Sequence, residues 1–363
     1  MALACGKASY TPTRAALQVG VCGQLLPWWL GDAGDCVLLR EVPSCGIEAL
    51  QSEIYDVYGP GPRLVTDCRG LSGYRPVPWG WSRWAASLFT RAGMDGGDIA
   101  AVGVDYERWR QLSHRRTALA AHRLLPAIAG VASPDAVECF SAADVAGAVE
   151  RWGRVFVKTP WSSSGRGVWP VSASTFAVER PKIAGAMRRQ GSVVVQRAYD
   201  KVEDFAMLFE VDGLGARFAG YSLFQTGGMS GAYAGNRVVD DSVIMRCLAG
   251  YVPAGVLDDL RRHVGDVLWS LLGGCYHGPV GVDMLVYRCT DAGGARCESS
   301  PADAENGAPR CYGIAPFVEI NLRYTMGFVA HAAASRLEGR SQGAGCILSL
   351  SDGFMGLSRS DLM

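Results

Sequence analysis

The clearest pattern of hydrophobic and polar positions in the chain is Phe317-Val318-Glu319-Ile320-Asn321-Leu322-Arg323, which alternates with period two. In a strand, that alternation puts Glu319, Asn321 and Arg323 on one face and Val318, Ile320 and Leu322 in the core. It predicts a strand over 314–322. Apolar runs bounded by turn residues predict further strands over 155–158, 192–196, 204–211, 216–224 and 280–287, with short ones at Val37-Leu38-Leu39 and Leu64-Val65. Helical spacing appears in 142–152, where Ser141 is the expected N-cap, Asp144 sits in the first turn, and Val145, Ala148 and Trp152 share a face. A longer helix is expected over 254–272, with Val256, Leu260, Val264, Val267 and Leu271 as its buried stripe. Leu112 to Arg116 is expected to open a helix that Pro126 stops. The loop Pro78-Trp79-Gly80-Trp81-Ser82 leads into an amphipathic helix ending at Gly93, and Tyr58 to Pro62 reads as another loop.

A chain of 363 residues, 49% hydrophobic and 19% charged, is long enough for two or three domains with sizeable cores. Its formal net charge of zero and lack of a basic stripe argue against a nucleic-acid partner. No apolar run reaches the ~20 residues of a membrane helix, and the first residues lack the apolar core of a signal peptide. The cytoplasm is therefore the expected location. Twelve cysteines are scattered without a Cys-x-x-Cys, and Cys275 with His277 is the nearest approach to zinc-ligand spacing, so buried thiols are expected. The strand that would open an α/β unit is missing ahead of Ala2, which leads us to expect a start inside that unit. Between Cys289 and Cys311 there is no Val, Ile, Leu or Phe, and a mobile hairpin insertion is expected there.

Candidate chemistry enters with Lys158, one of four lysines beside 31 arginines. It ends the run Val155-Phe156-Val157-Lys158 and precedes a loop containing Ser162, Ser163, Ser164, Gly165 and Gly167. An ammonium is a compact point charge, and glycines let backbone N–H groups approach an anion closely. Phosphate binding is one reading; a surface lysine beside a structural loop is the other. In Val193 to Tyr199, an apolar strand runs out into polar residues, and Gln196 with the backbone after it could meet an adenine edge. Asp204 could accept from ribose hydroxyls. Asp283 is the one carboxylate in the apolar run 280–286 and is costly to bury unpartnered. With Glu319 and Asn321 on a neighbouring strand it would make an all-oxygen site of the kind Mg²⁺ uses with nucleotide phosphates. The competing reading satisfies these acids with arginines.

The order of these elements resembles the ATP-grasp superfamily over roughly 113–330. The motifs that carry the resemblance are the Val-Lys-x-Pro strand, the polar hinge and Glu-Ile-Asn-x-Arg. The resemblance implies an α+β fold in which two subdomains clamp ATP, preceded by an N-terminal α/β domain. The expected division is 1–112 for the preceding domain, 113–205 for the central subdomain, 206–340 for the C-terminal subdomain with its insertion at 289–311, and 341–363 for a tail. It further implies that Lys158 contacts the phosphates under a lid at 162–167, and that Gln196, Arg197, Ala198 and Tyr199 form the adenine hinge. Asp204 would take the ribose, and Asp283, Glu319 and Asn321 would take Mg²⁺ or Mn²⁺. Arg323 would stabilise the transferring phosphoryl group as a catalytic residue alongside Lys158. Arg115 or Arg116 would supply a second phosphate cation. Two positions depart from the pattern: Gln196 stands where an acidic residue is common, and Gly281 where some members carry an arginine.

The expected activity is an ATP-dependent carboxylate–amine ligase acting on small-molecule or peptide carboxylates and amines. A silent nucleotide-binding regulatory module and a small-metabolite kinase are the alternatives. No general base stands out, with His114 and His331 as candidates. The glycine-rich segment 225–236 is expected as a loop beside the acceptor, with Tyr233 and Asn236 as contacts.

Overall fold

The computed structural model describes residues 2–5, 10–42, 44–133, 135–162, 167–227, 232–289 and 311–337, and the short strands at 346–348 and 357–359. The segment expected as an insertion lies outside the described residues except at its ends, where the Cys289 N–H donates to the Cys311 carbonyl at 2.8 Å.

Strands β1 (Cys36–Leu38) and β2 (Arg63–Val65) pair in parallel as a two-stranded sheet. A four-stranded antiparallel sheet is built from β3 (Ala136–Cys139), β4 (Arg154–Lys158), β5 (Val168–Ser172) and β6 (Val193–Arg197), in the order β3-β6-β4-β5. A seven-stranded antiparallel sheet follows from β7 (Asp200–Val211), β8 (Ala216–Gly227), β9 (Ala232–Val238), β10 (Gly278–Arg288), β11 (Tyr312–Asn321), β12 (Cys346–Leu348) and β13 (Leu357–Arg359). Its order is β11-β10-β7-β8-β9-β12-β13. This is an α+β architecture with two antiparallel sheets, as the resemblance implies.

In the small sheet the period-two pattern sends Val155, Val157, Val193 and Val195 into a core under the helices Ala142–Trp152 and Phe176–Gln190. Phe156, Lys158, Val194 and Gln196 are left on the opposite face. The first of those helices opens with a capping box in which Ser141 and Asp144 exchange side-chain and backbone hydrogen bonds, which satisfies donors that would otherwise be orphaned. The large sheet buries Phe205, Met207, Phe209, Val280, Val282 and Met284 under the helix Ala254–Leu272, whose buried residues include Leu257, Leu260, Val264 and Leu268. Its other face meets the helix Met326–Leu337 through Ala206, Leu208 and Phe328.

The N-terminal region has only a small core of its own, Cys68, Leu71 and Met94 packed with Leu38, Val65 and Phe89, and its larger cluster is shared. Leu25, Trp28, Trp29 and Ile54 pack into one cluster with Val329, Ala330, Ala333 and Leu337. Arg336 adds to that join: it stacks over Trp28 at 4.9 Å and donates to the backbone carbonyls of Trp29, Gly31 and Pro60.

Two local expectations are corrected. Residues 113–115 separate the helices Tyr106–Leu112 and Arg116–Leu124, so the expected helix opens at 116. Segment 225–236 is mainly the β8–β9 hairpin and not an irregular loop, with residues 228–231 outside the described set. Among the described residues, no helix is long and apolar enough to cross a membrane.

Candidate functional site

Lys158 ends β4 on the face turned away from the small-sheet core, and it is buried. Its Nζ donates to Gln196 Oε1 at 2.5 Å and to the Val318 carbonyl at 3.3 Å, so it bridges the two sheets. Both partners are neutral. Burial, reinforced by the like charge of Arg115, pushes its pKa down to about 7. A glutamate at 196 would cancel the ammonium charge; the glutamine holds the group in place and leaves its charge free for an anion.

Arg115 stands at the N-terminal end of the helix Arg116–Leu124 and is 8% exposed. Its Nε donates to the Thr159 carbonyl at 3.1 Å and its Nη2 to Ser162 Oγ at 3.1 Å. Its Nη1 lies 3.0 Å from Glu319 Oε2. Of the two arginines left open by the sequence, Arg115 is the one in the cleft. Arg116 faces Glu138 at 3.0 Å and packs on His114. His114 accepts the Arg116 N–H at 2.9 Å and meets Trp161 edge-on. Burial and the Arg116 charge lower its pKa to about 4, so it is neutral around pH 7.

Across the cleft, Asp283 on β10 and Glu319 on β11 are directly opposed in the antiparallel register. Asn321 Nδ2 donates to Asp283 Oδ2 at 3.1 Å. Arg323 Nη2 donates to Asn321 Oδ1 at 2.9 Å and Nη1 to the Tyr324 carbonyl at 3.0 Å. Burial and the neighbouring Glu319 charge hold the Asp283 carboxyl well above the ordinary range. Two carboxylates and a side-chain amide on adjacent strands fit a hard cation, although no group of three or more His, Cys, Asp or Glu suited to a metal occurs among the described residues. To ligate, Glu319 has to leave Arg115, and the Asn321 amide has to turn its oxygen towards Asp283.

The strand pattern near this site is less regular than the sequence suggested. Leu285 pairs with Ala315 while Asp283 pairs with Glu319, so one residue of β10 faces three of β11. Phe317 sits inside this bulge with φ 51°, a strained value for an aromatic residue. The alternation therefore holds from Glu319 to Arg323, with Ile320 and Leu322 buried. Val318, expected in the core, is only half-buried and directs its carbonyl at Lys158.

Behind Lys158, a void of about 20 Å³ lies between the sheets, room for about one water. Its walls are apolar at Ala118, Leu119, Val194 and Phe317 and polar at His122, Asp135 and Gln196. His122 hydrogen-bonds the Ala132 carbonyl at 2.9 Å. The sequence reading missed His122, yet Arg115, Ala118, Leu119 and His122 follow the i, i+3, i+4, i+7 spacing of one helix face. Asp135 and Phe317 carried no local signal, since each reaches the void through non-local pairing.

The remaining expected residues fall around this centre. In the hinge, the Arg197 and Ala198 N–H groups donate to the Asp135 and Arg154 carbonyls at 2.8 and 2.9 Å. Tyr199 packs on Tyr287 with ring centroids 4.5 Å apart, and burial raises its pKa beyond the usual phenol range. Asp204 lies on the Asp283 face of β7 and accepts from Thr226 Oγ1 at 2.6 Å and from Lys201. In the lid segment, Ser162 meets Arg115, and Gly167 has φ 73° with the Thr159 hydroxyl where a Cβ would stand. Ser163, Ser164 and Gly165 lie outside the described residues.

Tyr233 and Asn236 are on β9, three strands from β10, or roughly 14 Å at the usual strand spacing. Asn236 is buried, accepts from Tyr233 and donates to Ser222 Oγ, both at 2.5 Å. His331 lies 3.4 Å from Asp241 against Gly220 on β8. The loop singled out at 78–82 does reach the cleft: the Tyr324 N–H donates to the Trp79 carbonyl at 2.9 Å. A Cβ on Gly80 would stand 3.0 Å from Arg323 Cβ.

No family model matches the chain, and no curated protein matches it. Among solved structures it is similar to an ADP complex of N5-carboxyaminoimidazole ribonucleotide synthetase, at 12% identity and TM-score 0.38, over 66% of this chain and 49% of that one. Rhizobium etli pyruvate carboxylase gives 17% identity and TM-score 0.44, over 83% of this chain and 22% of that one. A RimK domain ATP-grasp protein from Sphaerobacter thermophilus gives 15% and 0.34, over 84% and 99%. The chain spans about half the length of the first of these.

Proposed function

We propose that the protein is an ATP-grasp enzyme that activates a carboxylate as an acyl phosphate for attack by an amine. The observation that supports this reading is the opposition of two buried cations, Lys158 and Arg115, to Asp283, Glu319, Asn321 and Arg323 on the large sheet. A strand-end lysine and a helix-start arginine facing oxygen donors on the large sheet suit a substrate that arrives as a polyphosphate with its cation. Asp283, Glu319 and Asn321 would hold Mg²⁺, which supplies charge neutralisation on the phosphates.

Lys158 and Arg115 bind phosphate oxygens from the small-sheet side. Arg323, positioned by Asn321 and the Tyr324 carbonyl, faces the charge that develops as the phosphoryl group passes to the acceptor carboxylate. The amine then displaces phosphate, forming a C–N bond. The void beside Phe317, Ala118 and Leu119 suits the base once the sheets separate, because it is far too small for a purine as it stands. A cytosolic setting, where thiols stay reduced, suits buried thiols such as Cys68 and Cys139.

Incubation with ATP, Mg²⁺ and fractionated metabolite pools, followed by mass spectrometry, tests the reading. ADP with a condensed amide product is the expected result. ADP with a phosphorylated metabolite would instead identify a kinase. Nucleotide retained without turnover in any pool would identify a binding module.

A further inference from the structure

Both arginines of the cleft are held by residues of the oxygen donor set. Arg115 pairs with Glu319 at 3.0 Å, and Arg323 donates to Asn321 Oδ1 at 2.9 Å. Arg115 is not a loosely placed surface group. Four hydrogen bonds or ion pairs fix it: its own N–H to the Pro160 carbonyl, and its side chain to Thr159, Ser162 and Glu319. A guanidinium held this way takes Glu319 Oε2, an oxygen a cation held by both lobes of the carboxylate would need. The formal charges nearby already tip positive, with Lys158, Arg115 and Arg323 against Asp283 and Glu319. A divalent cation entering alone would displace Arg115 and leave four positive centres facing two carboxylates. Uncompensated buried charge is strongly unfavourable. A polyphosphate entering with the cation reverses that balance, because its oxygens can take over Arg115 and Lys158 as Glu319 turns to the metal.

We infer that Arg115 gates the cation site: it masks Glu319 until nucleotide phosphates take its guanidinium, so the site binds a divalent cation only together with nucleotide. The inference rests on the nucleotide-binding reading above and adds a binding order that the reading does not require. Arg323 and Asn321 make the corresponding exchange. When the Asn321 oxygen turns towards Asp283, Arg323 loses that acceptor and becomes available to the phosphoryl group.

The test is titration of the purified protein with Mn²⁺, following free Mn²⁺ by electron paramagnetic resonance, with and without ADP. Wild type is expected to bind Mn²⁺ with ADP and to bind roughly 10- to 100-fold more weakly without it, the range seen when a contact to a metal ligand is altered. Arg115→Met is expected to tighten nucleotide-free Mn²⁺ binding by a similar factor while weakening ADP, and adding Glu319→Gln should abolish the gain. Arg115→Lys, which keeps a charge but cannot reproduce the fork, should fall between. Equal Mn²⁺ affinity of wild type with and without ADP would overturn the gate and leave the nucleotide reading standing. So would a nucleotide-free affinity unchanged in a folded Arg115→Met. If Arg115→Met does not fold, the nucleotide-free Mn²⁺ affinity of Arg115→Lys against wild type decides, and an unchanged value overturns the gate. Absence of ADP binding, with or without Mn²⁺, would instead sink the nucleotide reading.

Discussion

Lys158→Met provides the most direct test of the cleft, because the wild-type lysine should bind nucleotide and a proton together. Its pKa of about 7 in the nucleotide-free protein arises from burial and from Arg115, with only neutral groups holding the ammonium. At pH 8 about 0.9 of the molecules would carry an uncharged lysine, against about 0.1 at pH 6, by simple titration around that value. Phosphate oxygens favour the charged form, so ADP binding without metal should take up about 0.9 proton at pH 8 and about 0.1 at pH 6. Affinity should correspondingly fall about tenfold per pH unit above pH 8. Isothermal titration calorimetry in two phosphate-free buffers of different ionisation enthalpy at each pH reads the proton count from the difference in apparent enthalpy. Lys158→Met should bind more weakly and lose the pH 8 uptake. Zero uptake in wild type, or the same uptake in the variant, would refute the assignment.

The effect on folding has the opposite direction. The folded pKa lies below the ordinary 10.5, so the unfolded chain binds more protons between about pH 7 and 10.5. The stability cost of Lys158 is full below pH 7 and is relieved as the pH rises through that window. Lys158→Met should flatten this part of the stability profile in urea titrations.

Two further perturbations separate metal holding from arginine placement. Asp283→Asn and Glu319→Gln should each lower ADP formation by roughly 100-fold or more, as for loss of a transition-state stabiliser, and rates within a few-fold of wild type would exclude the donor assignment. Gly80→Val should push the Arg323 stem out of line and cut turnover by about 100-fold, the penalty typical of a 1 Å misplacement, with ADP affinity within twofold. Unchanged turnover in that variant would show that Gly80 does not position Arg323.

Much of the cleft was legible in the sequence because its chemistry rides on regular strands. Lys158 ends an apolar run, and Glu319, Asn321 and Arg323 alternate with buried Ile320 and Leu322, so strand geometry alone puts them on one face. What could not be read locally depends on distant partners. Phe317 and Val318 look like the start of an ordinary strand, and only pairing with β10 reveals the bulge that turns the Val318 carbonyl to Lys158. Gln196 read as a hinge residue, whereas its observed partner is the lysine 38 positions earlier. The helix Phe176–Gln190 escaped notice because Pro181 and five charged residues blur its periodicity; packing on the small sheet overrides weak local propensity. The competing reading of the acids proved half right: an arginine does satisfy Glu319, while Asp283 is held by an amide.

The shared core of the N-terminal region with the helix Met326–Leu337 has a mechanical consequence. That helix begins three residues after Arg323, and Trp28, Trp29 and Arg336 lock it to the chain's first third. The helix that follows Arg323 is therefore fixed to the N-terminal region, and the two cannot part without opening a hydrophobic cluster. The small sheet has a separate core drawn from residues 139–195 and joins the large sheet through the short turn at 198–199. Under the proposed function, opening the cleft would fall to the small sheet, which would carry Lys158 with it.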